Sequence, residues 1–161
     1  MVARLTAQPM PSIVSKMVQV HIARFVSDRI EYLLLQRAEE ETAYPGIWQV
    51  VTGGIEEGET AEQAARRELQ EETGLTHETM WAVPFVASFF DARRDAIHLV
   101  PVFAVVVAPD TEPTLSDEHQ DFIWASYEEA QKRLVFPTHH EGTRIVRDYL
   151  LTADQMPFMK L

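Results

Sequence analysis

Apolar and polar residues alternate along Val18-Gln19-Val20-His21-Ile22-Ala23, the period-two pattern of a strand with one buried face. After a short polar turn, Glu31-Tyr32-Leu33-Leu34-Leu35-Gln36-Arg37 reads as a buried strand that ends in a charge. Ala38 to Gly46 is an acidic loop broken by Pro45-Gly46. Trp48 to Thr52 then makes a short apolar strand running into Gly53-Gly54. A helix follows, about Ala61 to Thr73. Thr60 is placed as its N-cap, Gln63 completes a capping box, and Gly74 ends it as the C′ residue. Met80 to Phe90 and Ile97 to Ala108 are predicted strands, the second interrupted by Pro101, and Phe122 to Ala125 is another. Tyr127 to Val135 and Thr138 to Leu151 read as helices, the latter with Ile145, Tyr149 and Leu150 partly on one face. Residues 1–15 contain prolines and little pattern, and are expected to form a loose arm ahead of one domain spanning 16–161. Strands and helices mix without regular alternation, which favours an α+β or layered α/β/α fold over a doubly wound sheet.

Composition narrows the function. The chain has 161 residues, of which 46% are hydrophobic, enough for one core. No apolar run reaches the roughly 20 residues of a membrane span. The first residues lack a continuous apolar segment, so no signal peptide is expected. With no cysteine, disulfides, thiolate metal sites and thiol nucleophiles are excluded, and a cytoplasmic location is expected. Asn is absent as well, which excludes N-glycosylation. The net charge of -11 argues against nucleic acid as a partner. It suits a polyanionic small molecule only where carboxylates hold metal ions that invert the local charge.

The helix over 61–73 carries acids in an unexpected place. On a wheel at about 100° per residue, Glu62, Gln63, Arg66, Gln70 and Thr73 form the polar face expected toward solvent. The opposite face holds Ala61, Ala64 and Ala65 together with Glu68, Glu71 and Glu72, with Leu69 at its flank. Carboxylates turned inward repel one another and lose hydration. Arginine partners could neutralise them, Arg67 being the nearest. Alternatively a hard divalent cation such as Mg²⁺ or Mn²⁺ could sit among them.

Residues 53–75, GGIEEGETAEQAARRELQEETGL, fill a known pattern. Gly53, Glu59, Arg67, Glu68, Leu69, Glu71, Glu72, Gly74 and Leu75 occupy every defined position of the Nudix box, so the chain resembles the Nudix hydrolase superfamily. The resemblance implies an α/β/α sandwich with a mixed sheet. It implies hydrolysis of a phosphoanhydride in a nucleotide-like substrate, with Mg²⁺ or Mn²⁺ held by Glu68, Glu71 and Glu72. One of these or a nearby acid would be the general base. Glu59 and Arg67 would form an orienting salt bridge, and a carbonyl at Thr52 or Gly53 would complete the coordination. Gly53 and Gly54 would let the backbone approach metal and phosphate, or simply make a tight turn. Relatives are often homodimers.

Outside the box, Glu118 precedes the Trp124 strand. It resembles the additional metal-binding or base glutamate of several Nudix hydrolases, and otherwise is a solvated loop acid. His119 is read as structural, and His139-His140 as surface. Arg37 would hold phosphate, or pair with Glu39 or Glu40. Tyr44, Trp48, Phe89 and Phe90 are candidates to stack on a base or pterin ring, with core packing an equal reading for Trp48. The run WQVVTGGIEEGETAEQAARREL resembles the dATP and dihydroneopterin triphosphate pyrophosphohydrolases. Dinucleoside polyphosphate and ADP-ribose hydrolases are the alternatives within the superfamily. A module that binds nucleotide without hydrolysis is the alternative from another class, disfavoured because every box acid is present.

Overall fold

The computed structural model describes residues 10–152 and 156–161. Their element order is β1 (Ser12–Val14), β2 (Met17–Val26), β3 (Arg29–Arg37), β4 (Trp48–Gln49), β5 (Val51–Gly54), α1 (Ala61–Thr73), β6 (Thr79–Asp91), β7 (Ala96–Val107), β8 (His119–Ala125), α2 (Tyr127–Arg133) and α3 (Pro137–Ile145). A π-helical segment, Val146–Leu151, continues α3, so the helix predicted over 138–151 is built in two hydrogen-bonding patterns. The predicted loose arm contains a paired strand. β1 runs parallel to β7 through Ser12–Ala96 to Val14–His98, while residues 1–9 lie outside the described residues.

All eight strands join one mixed sheet. β6 and β7 form a long antiparallel hairpin, with a register shift between Ala82 and Val86 opposite Pro101. Pro101 therefore does not end β7; the irregularity falls on its partner strand. β2 lies parallel to β7 from Gln19–Val102 to Arg24–Val107. Its other edge is antiparallel to β5 at one end and to β3 at the other. β3 in turn pairs with β4 and β8.

Side chains that alternate across the strands split the core into two layers. On one face, Val18, Val20, Ile22, Leu33, Leu35, Phe103 and Val105 pack against Ala64, Ala65 and Leu69 of α1. The small alanines let the helix sit close to the sheet. The other face is covered by α2 against Tyr32 and Leu34, and by the π segment against Val102, Ala104 and Val106. This is the α/β/α sandwich expected from the sequence. β2 departs from expectation, because its polar positions Gln19 and His21 are also buried.

α1 is punctuated as its sequence dictates. Thr60 Oγ1 accepts from the Gln63 amide and the Gln63 side chain accepts from the Thr60 amide, closing the capping box. Gly74 takes the left-handed conformation at φ 65°, where a β-carbon would be strained, and its N–H returns to the Gln70 carbonyl.

Candidate active site

The end of β5, the helix α1 and the turn before β8 meet at the acidic cluster. Gly53 lets the Glu68 side chain approach the backbone closely there. A β-carbon built on it would lie 1.9 Å from the Glu68 carboxyl carbon. Gly54 is under no such pressure, its nearest neighbour to a β-carbon being the Lys16 carbonyl at 3.9 Å.

Arg67 organises the loop ahead of α1. Its Nε and Nη2 donate to the two Glu59 oxygens at 2.9 and 3.0 Å, a bidentate pair. Nη2 also donates to the Gly54 carbonyl at 2.7 Å. Glu59 additionally accepts from the Glu56 amide. Hydrogen bonding by Arg67, then by that amide, holds the Glu59 carboxyl below its usual range. The remaining nitrogen, Nη1, donates to Glu68 at 2.8 Å and Glu71 at 3.0 Å.

The three box acids of α1 therefore do not share one environment. Glu71 is splayed toward water, its side chain 58% exposed, which corrects the expectation that all three face the sheet. Thr73, expected on the solvent face, is buried and its hydroxyl donates to the Leu69 carbonyl. Glu68 is half-buried and its pKa is raised, chiefly by lost hydration, despite the bond from Arg67. Glu72 is only 3% exposed and Oε2 has no hydrogen-bond partner. Burial, then repulsion from Glu68 and Glu118, pushes its pKa up to about 9. The Arg37 charge and the Thr52 amide pull the other way.

Glu118 is exposed in the turn before β8, close enough to act on both Glu68 and Glu72. His119 lies beside it and is buried, with Nε2 3.6 Å from Glu72 Oε2 and 3.2 Å from the Gln49 amide nitrogen. Burial, then the Arg37 charge, lowers the His119 pKa to about 4. At neutral pH both His119 and Glu72 are thus uncharged, and their proximity is not an ion pair. Among the described residues no three acidic or imidazole side chains already converge as a cation cage, because Arg67 draws Glu68 and Glu71 to itself. The donor set nevertheless fits a hard divalent cation. A buried carboxyl oxygen without a partner, flanked by two further carboxyls, is what such an ion would satisfy.

Next to this cluster opens a cavity of about 530 Å³, of the size of small-molecule sites. Thr52, Gln49 and Arg37 line it and connect it to Glu72 and His119. Arg37 is positioned by Glu41 at 2.7 Å and the Ala43 carbonyl at 2.9 Å, so its acidic partner is neither Glu39 nor Glu40. Tyr44, Phe89, Phe90 and Phe136 supply apolar wall. Tyr44 meets Phe136 edge to face at 5.1 Å, and Phe136 meets His139 at 5.2 Å. Trp48 lines no part of the cavity. It packs beside Val50 and Leu134, with the Arg133 guanidinium over its ring. His139, expected at the surface, is only 4% exposed and lines the cavity.

Sequence reading did not single out Gln19 or Gln49, and it placed His139 at the surface. Gln19 and Gln49 are polar side chains inside apolar patterns, and His139 stands in a polar run, so only the layers packed around them show that they are covered.

The NUDIX domain family profile matches residues 16–148. The nucleoside triphosphatase NudI of Escherichia coli K12 is 32% identical over 105 residues, covering 61% of this chain and 74% of that protein. A Nudix hydrolase structure from Listeria monocytogenes superposes with a TM-score of 0.73 at 25% identity, covering 91% of this chain and 97% of that one. An Ap4A hydrolase binary complex from C. elegans superposes with a TM-score of 0.69 at 26% identity, covering 85% and 98%. The chain belongs to the Nudix family and is a hydrolase of phosphoanhydride bonds. Among its described residues no helix is long and apolar enough to cross a membrane.

Proposed function

We propose that this chain is a Mg²⁺-dependent pyrophosphohydrolase of nucleoside or pterin triphosphates. The observation that carries the reading is Glu72: a buried carboxyl with an unpartnered oxygen, beside Glu68 and Glu118, at the edge of a cavity lined by aromatic rings. Glu68, Glu72 and Glu118 would hold the cation, and Glu71 would join them on leaving Arg67. When bound, Mg²⁺ neutralises phosphate charge and lowers the pKa of an attacking water. Mn²⁺ suits the same oxygen donors.

The chain's own groups do the rest. Arg37, clamped by Glu41, offers its fork to a phosphate. The Glu59–Arg67 pair fixes the Gly53-Gly54 backbone relative to α1. A carboxylate of the cluster takes the proton from water. Tyr44 and Phe90 stack on the ring, and the walls exclude bulk water from one end of the substrate. The likeness to NudI, a nucleoside triphosphatase, supports a triphosphate substrate. The likeness to an Ap4A hydrolase keeps dinucleoside tetraphosphates as a second reading.

The test is a panel of dATP, dihydroneopterin triphosphate, a dinucleoside tetraphosphate, ADP-ribose and a nucleotide sugar, assayed with and without Mg²⁺. Metal-dependent pyrophosphate release from a triphosphate is the expected result. Activity confined to the last three substrates would redirect the assignment. No release from any would leave a binding module.

A further inference from the structure

One end of the cavity is polar, and its hydrogen-bond directions are determined by a relay behind the wall. Gln19 is 2% exposed and lines the cavity. Its amide nitrogen lies 3.3 Å from the Thr138 carbonyl and 2.6 Å from His21 Nε2. A carbonyl only accepts, so the group facing Thr138 must be the NH₂. That NH₂ then donates to His21 Nε2, which must carry a lone pair. The far side of the ring gives the same answer independently. Thr143 Oγ1 donates to the His139 carbonyl at 2.8 Å, and so accepts from His21 Nδ1–H at 3.2 Å. Burial keeps His21 neutral, lowering its pKa to about 3.

Both amide hydrogens of Gln19 are thus consumed by protein acceptors. That leaves its oxygen as the group Gln19 can offer to the cavity it lines, an acceptor that cannot rotate into a donor. Gly142 of α3 shows how closely the relay is packed. A β-carbon there would lie 2.3 Å from His21 Nε2 and 2.8 Å from the Gln19 amide nitrogen. Beside Gln19 stands His139, 4% exposed, with Nδ1 buried and unpartnered. Buried polar side chains in the wall of a largely apolar cavity call for a partner of matching polarity.

We propose that Gln19, locked by His21 and Thr143, is a specificity-determining residue that selects heterocycles presenting an amino group to the cavity's polar end. The inference rests on the triphosphate reading and narrows its substrate class to amino-bearing bases or pterins. An oxo group at that position would set oxygen against oxygen and leave the Gln19 acceptor unpaired. Gln19 touches the ring; His21 and Thr143 are positioning residues that act through it.

Three matched nucleotide comparisons test this. dATP and dITP differ at the 6-position, dGTP and dITP at the 2-amino group, and dCTP and dUTP at the 4-position. Binding is measured by calorimetry with Ca²⁺ replacing Mg²⁺ to slow turnover, and pyrophosphate release is measured separately with Mg²⁺. The wild-type chain binds the amino member about ten- to a hundredfold more tightly in at least one comparison, the cost of a buried unpaired acceptor. Gln19→Leu brings that ratio close to one. Thr143→Val keeps the shape but frees the His21 tautomer, and lowers the ratio as well. Thr143→Ser retains the hydroxyl and the ratio. A ratio within one sample does not depend on how much of it is folded. A wild type without preference, or a Gln19→Leu variant that keeps the wild-type ratio, overturns the proposal. Preferential binding without pyrophosphate release would sink the hydrolase reading and leave this one standing. Hydrolysis without preference would do the reverse, and no binding of any nucleotide would overturn both.

Discussion

Glu72 concentrates the cost and the use of the site in one carboxyl. Its charged form is opposed by burial and by two neighbouring acids, and no arginine compensates it directly. Glu72→Gln removes that burden while keeping the shape. The metal-free melting temperature should rise, and Mg²⁺-dependent kcat/KM should fall at least about a hundredfold, as for loss of a direct ligand. Wild-type turnover in the variant would remove Glu72 from the site. The identity of the acids was legible in the sequence, but their directions were not. Placing the wheel's buried centre on the acids put Glu71 inside and Thr73 outside. The actual centre lies between Ala65 and Leu69, because the aliphatic contacts with β2 and β7 decide how the helix rolls. That roll brings Thr73 under cover, leaves Glu72 trapped, and turns Glu71 toward water within reach of Arg67 one turn earlier.

At the scale of elements, local chemistry predicts well where it acts alone. The bounds of α1 follow from Thr60, Gln63 and Gly74, and the structure reproduces them. Thr60→Ala breaks the reciprocal cap and should cost about 1 kcal/mol, read as a shift of the urea midpoint at unchanged slope. A midpoint that does not move would mean that packing alone holds the helix start. Elements shaped by neighbours were less legible. The single strand expected over 48–52 divides at Val50, because its first part pairs with β3 and the rest with β2. β1 exists because β7 offers it an edge, which three residues of sequence cannot announce. β2 alternates like a half-exposed strand, yet α3 lies over its polar face and converts Gln19 and His21 into interior groups.

For the whole molecule, buried titratable groups of opposite sign set a pH optimum for the metal-free chain. His21, His119 and His139 have pKa values lowered by burial to about 3, 4 and 4, against about 6.5 when unfolded. Between those values the unfolded chain binds the extra protons, so stability falls as pH drops below about 6.5. Glu72 works in the other direction. Its folded pKa of about 9 lies above the unfolded value of 4.5, so its contribution declines as pH rises through that window. Three histidines outweigh one acid below neutrality, and the acid acts alone above it. The melting temperature in EDTA should therefore peak near pH 7, and Glu72→Gln should flatten the alkaline limb while steepening the acid one. An alkaline limb that survives in that variant would place its origin elsewhere. The layered architecture was legible from the mixed order of elements, whereas the cavity was not. Its walls come from β2 to β7 and from α3, segments far apart in the chain.

The central strand β2 carries a further consequence. Its even-numbered residues Val18, Val20 and Ile22 bear the platform on which α1 sits, while odd-numbered Gln19 and His21 look the opposite way, to α3. Ligand choice and the hydrolytic machinery are thus written in interleaved letters of one short word. Substitutions at odd positions can retune which ring is accepted while the scaffold of the acids stays put, so a lineage can change diet without rebuilding its chemistry. Insertion of one residue would exchange the two messages and lose both at once.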